Sequence, residues 1–487
     1  MSKIIVWQDK IKAVRKTTPF RKFVKELLSW TPMILYKNED FFSRYPHSDR
    51  SSKVYSNKEY LEKFEEKLWL EYDFRLDFFA NWKDLWNITP KSAMLHLYWI
   101  NENSDFADAA FWTKNCYLSF VVGMDVENVL YSMFVYMNSR NVLNSVFVSN
   151  HSENIYFSLN VENGFNIFYS KFIKNSSDIW FSSNLIWCRE CIFCDNLQNQ
   201  DHCIRNKQYE KEEYFAMKEK ILKEKNEYWK YFKEVNTKWL NIASENVSGM
   251  WILESKNIEN WAIIANIENG RNVLFISGLP FWENFYDCFD AWANSNDLYW
   301  AKACWENSNN VYCSWEVGNS SNIFYSYNMG NCSYCLGCIW LKNKSYCILN
   351  KQYSQEEWHE LAWKIFEQME KGWILWEYFP WKTNPFYFND TAASLIFNDL
   401  KKEEVVKEWF LWRDEKIKVD VPEWLQVIKA ADLDVVNFDD SILKKVIIDE
   451  NWNHFRIVAM ELEFLQKNNL PLPRTHWLER IKLWFNF

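Results

Sequence analysis

Two stretches of the chain repeat a pattern of polar and apolar positions every 12 or 13 residues. Each unit opens on a polar anchor, continues with an apolar residue and two usually aromatic or apolar ones, then reaches Ser or another small residue. The first-stretch anchors are Asn115, Asn128, Asn141, Asn154, Asn166, Asp178, Glu190 and His202. Those of the second are Asn260, Asn272, Asn284, Asp297, Asn310, Asn322, Tyr334 and Tyr346. One position after the first-stretch anchors stand Cys116, Val129, Val142, Ile155, Ile167, Ile179, Cys191 and Cys203. Four positions after them stand Ser119, Ser132, Ser145, Ser158, Ser170, Ser182, Cys194 and Asn206. Like residues in like columns at a fixed period are the signature of a stacked solenoid. The unit is too short for a helix pair, and its β-branched and aromatic content favours strands. The pattern predicts a β-solenoid in each stretch, its columns stacked as in-register ladders. At about 4.8 Å per coil, eight coils span roughly 38 Å. The spacing leaves open whether a coil is one unit or two. An antiparallel meander, which would alternate its faces, fits less well.

A larger repeat lies over the small one. Cys188, Cys191, Cys194 and Cys203 recur as Cys332, Cys335, Cys338 and Cys347, each offset by 144 residues. The Asn-Lys-Gln-Tyr motif from Asn206 to Tyr209 recurs at the same offset, from Asn350 to Tyr353. The chain is therefore read as mainly β: a duplicated module, a tandem β-solenoid with capping helices and mainly helical flanks. The expected segments are a mixed or helical flank over 1–110, a first solenoid over 111–209 and a capping helix with linker over 210–240. A second solenoid over 246–353, its capping helix over 354–374 and a mainly helical flank over 375–487 follow. Ser354 to Glu357 has the form of a capping box. Helices at these places would cover the open strand groups of a solenoid end.

Composition changes the picture at one point. The chain has 30 Trp and 9 Gly in 487 residues, where average usage would give roughly 34 Gly. The turns beginning at Trp292 and Trp305 match one beginning at Gly318, each running into an Asn/Ser cluster. Glycine reaches positive φ there without a Cβ clash and tryptophan does not. We read many of the tryptophans as glycine codons, UGA, translated under the wrong genetic code; Trp412 is read as genuine. The Trp excess is then no evidence for a sugar-stacking surface.

Charge and hydropathy narrow the setting. The net charge of −9 argues against a nucleic-acid partner. No run of about 18 apolar residues suggests a membrane span, and no signal core opens the chain. The expected location is the cytoplasm, with the cysteines reduced or metal-bound. The two clusters Cys188, Cys191, Cys194, Cys203 and Cys332, Cys335, Cys338, Cys347 are the sharpest site candidates. Cys-x2-Cys pairs suit tetrahedral zinc, and a redox role is a further option. Core packing is preferred, because Cys191 and Cys203 fill the Ile/Val column and Cys194 fills the serine column. Cys116, Cys288, Cys304 and Cys313 look structural.

The Asn anchors are read as turn or ladder residues rather than ligand contacts. The aromatic column Phe157, Tyr169, Phe181, Phe193 is read as core, with an exposed partner stripe as the alternative. Reading Trp as Gly turns Trp358 to Lys364 into a phosphate-loop spacing, but Ile365 stands where Ser or Thr belongs and the segment reads as helix. No catalytic residue or other cofactor site is nominated.

The run 335–353, CLGCIWLKNKSYCILNKQY, resembles an uncharacterised family of Cys-rich repeat proteins from uncultivated small-genome bacteria. Lys53 to Ser56, Asn115 to Leu118, Glu377 to Pro380 and Leu470 to Arg474 resemble it too. The relatives carry Gly where Trp340 stands. The resemblance implies the repeat fold with zinc-ribbon-like flanks and no defined activity. Around His454–Arg456 and Pro473–His476 the family's Cys pairs are missing, which puts a terminal zinc site in doubt. The expectation is a structural or interaction scaffold with a protein partner along the solenoid faces. The alternatives are a zinc-binding protein using the two Cys clusters, or a β-helix enzyme acting on carbohydrate.

Overall fold

The computed structural model describes residues 6–10, 20–37, 41–46, 53–63, 68–95, 101–235, 245–253, 256–265, 267–268, 274–276, 282–283, 288–291, 296–299, 301–304, 307–375, 377–380, 383–415, 419 and 421–485. The chain is mainly β, and about 15 solenoid turns run over residues 101–348. In the first array, the strands from Arg140–Leu143 onward pair in parallel, Arg140 with Glu153, then Phe165, Ser177, Arg189 and Asp201. The intervening strands form a second parallel sheet, Met133 with Val146, then Leu159, Lys171, Ser183 and Asp195. One unit of 12 or 13 residues is thus one complete coil: two four-residue strands and two short turns. Strand pairing settles the question that the spacing left open. The array also begins earlier than position 111, since Asn101 already pairs with Thr113.

A coil this short has room for only four inward side chains. In one coil these are Val135, Ser139, Val142 and Ser145, all with no exposure. From Ile155 onward the inward positions fall every third residue: Ile155, Ser158, Val161, Gly164, Ile167, Ser170 and so on. The backbone explains this spacing. Asn154, Phe157, Asn160, Asn163, Asn166 and Tyr169 all have φ between 49° and 58°. One left-handed residue in three re-aims a chain whose side chains would otherwise alternate with period two. Asn tolerates that region better than most residues, which accounts for the anchors. Bulky residues occupy it too, at about 1–2 kcal/mol each.

The chain divides into two compact units, each joining one array to the distant flank: Met1–Ala93 with Trp239–Asp414, and Met94–Lys238 with Glu415–Phe487. In the first unit, Trp30 packs on Trp315 with ring centroids 4.7 Å apart, and Trp82 on Phe379 at 4.6 Å. In the second, Trp477 stacks on Phe120 and Trp484 donates its indole N–H to the carbonyl of Asn144 at 3.1 Å. The linear succession of domains expected from sequence is therefore interleaved. Apolar faces on the flanks find arrays more than a hundred residues away along the chain.

The flanks are mixed. Helices Phe20–Leu28, Asn57–Lys63 and Phe78–Ile88 stand in the N-terminal one. The C-terminal one has helices Ala459–Lys467 and Trp477–Lys482 beside a three-stranded sheet. Helix Lys211–Lys223 follows the first array, and Gln355–Lys371 follows the second. The latter opens on the expected capping box of Ser354 and Glu357. Trp358 to Lys364 lies inside it, so the phosphate-loop spacing is helical. Among the described residues no helix is long and apolar enough to cross a membrane.

Two groups stand out among the described tryptophans. Trp7, Trp30, Trp82, Trp86, Trp315 and Trp358 are buried. Trp112, Trp187, Trp340, Trp373, Trp409 and Trp452 have φ between 52° and 69°, and all of these but Trp340 are exposed. Trp292 and Trp305 lie outside the described residues.

Candidate functional site

The solenoid's inward period explains the cysteine spacing. Cys188, Cys191 and Cys194 occupy three successive inward positions, and Cys203 is in phase with them one coil on. All four are at most 2% exposed. Cys191 pairs in register with Ile179 behind it and Cys203 ahead of it. Cys335 pairs likewise with Ile323 and Cys347. Cys-x2-Cys is here the period of the fold, which brings these thiols together without requiring a metal.

The serine column carries a hydroxyl relay. Ser158, Ser170 and Ser182 each donate N–H to the Oγ one coil earlier and their own hydroxyl to the carbonyl two residues back. Cys194 continues it: its N–H donates to Ser182 Oγ at 2.9 Å, and its Sγ accepts from Asn206 N–H at 3.4 Å. The N–H groups of Cys332 and Cys338 donate likewise to Ser320 and Ser326 Oγ, each at 3.0 Å.

The thiols donate to backbone carbonyls and also influence one another's titration. Hydrogen bonding to Cys188 and Cys194 holds the Cys191 proton far above the ordinary thiol value. The bond from Cys191 lowers Cys188 to about 7 and lowers Cys194 as well. In the second array Cys335 is the raised member, and its hydrogen bonds lower Cys332 and Cys347. Burial raises Cys338. Among the described residues no group of three or more His, Cys, Asp or Glu is placed to hold a metal ion. Cys116, Cys304 and Cys313 are buried, and the side chain of Cys288 lies outside the described residues.

The anchors form an amide ladder. Each of Asn103, Asn115, Asn128, Asn141, Asn154 and Asn166 donates its amide to the next, ending on Asp178, at 2.8–3.2 Å. Each of Asn115, Asn128, Asn141, Asn154 and Asn166 thus engages one amide N–H and its carbonyl oxygen along the rod. In the second array Asn272 and Asn284, and the side chain of Asn260, lie outside the described residues.

The aromatic column belongs neither to the rod's core nor to its open surface. Tyr169, Phe181 and Phe193 stack at 5.3–5.4 Å on its outside. Tyr228, Tyr231 and Phe232, from helix Tyr228–Glu234, lie over them and over Phe157. The Asn-Lys-Gln-Tyr motif closes each array. Asn206 accepts from Asp195 N–H and donates to Asp195 O, satisfying an edge strand, while Lys207–Gln208 folds back antiparallel on Asp201–Ile204. Asn350 does the same to Ile339.

Two concavities stand out among the described residues. A groove of about 570 Å³ runs along the first array past Asn163, Phe165, Asn175, Arg189, Asn199 and Asp201. Asp201, its one carboxylate, faces Arg189 and His202 and accepts from Gln208. Glycoside hydrolysis ordinarily uses two carboxylates across the scissile bond, which this groove does not offer. A second cavity, of about 610 Å³, lies between coil residues Tyr117 and Tyr131 and the C-terminal flank. At its side Arg480 Nη1 meets Glu461 Oε1 at 3.0 Å. Sequence reading missed this pair, because nothing in the spacing joins residues 131, 461 and 480. Glu461 and Arg480 are each one of three charged residues on a short helix, Ala459–Lys467 and Trp477–Lys482 respectively, and nothing local singles them out.

No family model matches the chain, and neither a curated protein nor a solved structure does.

Proposed function

We propose that the protein is a cytoplasmic interaction scaffold that holds a protein partner along the side of a solenoid. The groove on the first array supports this reading. Its exposed Phe165 lies near Arg189, Asp201 and a row of Asn side chains, a mixture of apolar anchor and polar rim that suits a protein segment. Trp187 also lines it, but its left-handed backbone suits glycine, so Phe165 and Arg189 carry the proposal. Helices Lys211–Lys223 and Gln355–Lys371 act in this reading as end caps. Tyr214 donates to Glu190, and the Trp358 indole N–H to the carbonyl of Cys347 at 3.1 Å. Quantitative affinity capture from native lysate tests the scaffold, comparing the full chain with a Phe165→Ser/Arg189→Glu variant of equal stability. A partner lost only with the variant supports it. An identical captured set for both proteins overturns the groove as the docking surface.

A second reading is zinc held by each thiol cluster; Cys188, Cys191 and Cys194 at successive inward positions support it, and the finding that no described group is placed to hold a metal opposes it. Zinc analysis after purification without chelators decides it. About one metal per cluster supports zinc, and less than one per chain removes it.

A further inference from the structure

The cavity beside the C-terminal flank has an unusual polar content for its depth. Arg480 is 2% exposed and Glu461 fully buried. Taking such a pair out of water costs several kcal/mol per ion unless every polar atom is satisfied. Here Tyr131 lies against both, its ring 5.1 Å from the guanidinium and its hydroxyl bonded to the Glu461 carboxyl, and Arg480 Nε is left without a hydrogen-bond partner. Burial raises the Glu461 carboxyl, opposed by the neighbouring Arg480. The arrangement is expensive as pure architecture, since an apolar pair of similar volume would fill the same space.

The polar side chains that line the cavity are Tyr117, Tyr131, His454, Arg456, His476 and Arg480, with no carboxylate among them. His476 uses Nδ1 to accept from Leu478 N–H at 3.2 Å, so its neutral ring carries the proton on Nε2. Burial, reinforced by Arg480, lowers its pKa to about 4, and the ring is neutral at pH 7. Arg456, exposed at the mouth, donates Nη2 to the carbonyl of Leu443 at 2.6 Å and keeps a positive charge there. Glu461 balances Arg480, and Arg456 leaves the lining with a net positive charge. The walls are apolar, with Leu425, Val446, Ile457 and Trp477 all buried.

We propose that this cavity binds a small organic carboxylate. Its anionic group would face the His476 and Arg480 N–H donors and the Arg456 charge, and its apolar body would lie against Trp477 and Ile457. Convergent donors in a mostly apolar cavity of this volume are the usual form of such a site. Net positive charge selects an anion over a neutral amide of the same shape. The inference stands apart from the scaffold reading, which concerns the groove on the first array.

Calorimetric titration of the full chain with phenylacetate, hexanoate and the neutral phenylacetamide tests it. At least one carboxylate should bind saturably, with phenylacetate at least about tenfold tighter than phenylacetamide. Arg456→Gln, at an exposed position, should leave the melting temperature unchanged and weaken carboxylate binding roughly fivefold or more. Absence of binding by both carboxylates at millimolar concentration would overturn the proposal. So would equal affinity for acid and amide, or carboxylate affinity untouched by Arg456→Gln.

Discussion

The backbone N–H of Cys194 donates to Ser182 Oγ at 2.9 Å, repeating the bond that Ser182 N–H makes to Ser170 Oγ one coil earlier at 3.2 Å. A thiol therefore stands where the relay otherwise places a hydroxyl. Cys194→Ser should change stability by less than about 1 kcal/mol, and Cys191→Val, matching Ile179 in the coil behind, by a similar amount. Urea denaturation of each variant measures this. A loss of several kcal/mol accompanied by loss of bound zinc would mean that the thiols are ligands first and packing second.

Trp373 and Trp409 occupy a position that helices reserve for glycine. Each follows a helix C-terminus in the left-handed region, with φ of 58° and 69°. The bonds Trp373 N to Glu370 O and Ile374 N to Met369 O form the Schellman pattern, as do Trp409 N to Val406 O and Phe410 N to Val405 O. The same pattern after helix Ala459–Lys467 uses Asn469, a residue that tolerates this conformation. Trp452 stands at the corresponding left-handed position of a hairpin bulge, following a turn in which its N–H donates to Asp449 O. The three side chains are 81%, 62% and 71% exposed, so removing them forfeits little packing. Trp373→Gly, Trp409→Gly and Trp452→Gly should each stabilise the fold by about 1 kcal/mol, whereas Trp82→Gly should cost about 3–5. These positions support the proposal that the surplus tryptophans are UGA-encoded glycines. UGG codons at all three would sink it.

Asn141 combines two roles that substitution can separate. It accepts from Asn128 and donates to Asn154, and its φ is 53°. Asn141→Gly removes the amide bonds but keeps the backbone at ease. Asn141→Ala removes them and adds left-handed strain, so it should be less stable than the glycine variant by about 1 kcal/mol. Equal stabilities would show that the backbone term is absent.

The depressed pKa of His476 makes the fold acid-sensitive. The imidazole falls from 6.5 to about 4, mainly through burial with Arg480 adding to it, while Asp449 opposes and Lys482 reinforces the shift. Stability from this group is complete above pH 6.5 and is lost as pH falls toward 4, because the unfolded chain takes up the proton first. The loss is roughly 2 kcal/mol after allowing for the ring's partial exposure. His476→Asn, which retains a side-chain acceptor for the helix start, should flatten the pH dependence of urea stability over that window. An unchanged slope would place the acid sensitivity elsewhere.

Much of the solenoid was legible because its period is local. The Ile/Val and Ser columns, the 144-residue duplication and the capping box at Ser354 each reflect a steric or hydrogen-bonding demand repeated along the chain. The cysteine column was legible too, since Cys191 replaces an Ile and Cys194 a Ser. Other features depend on which surfaces meet. Only strand pairing made each 12- or 13-residue unit a whole coil, through registers such as Glu153 with Phe165. Phe157, Tyr169 and Phe181 look alike in sequence whether they face a core or a covering helix. Trp30 and Trp477 show no sign, in their own neighbourhoods, of packing against Trp315 and Phe120. The cavity bounded by Tyr131, Arg480 and His476 exists only because an apolar flank folded back onto the array. The sequence by itself determined the repeating backbone and its inward ladders, because these follow from local geometry. The tertiary structure decided the coil, the interleaved units and a buried ion pair beside a cavity, because long-range burial of apolar surface selects its partners by shape rather than by spacing.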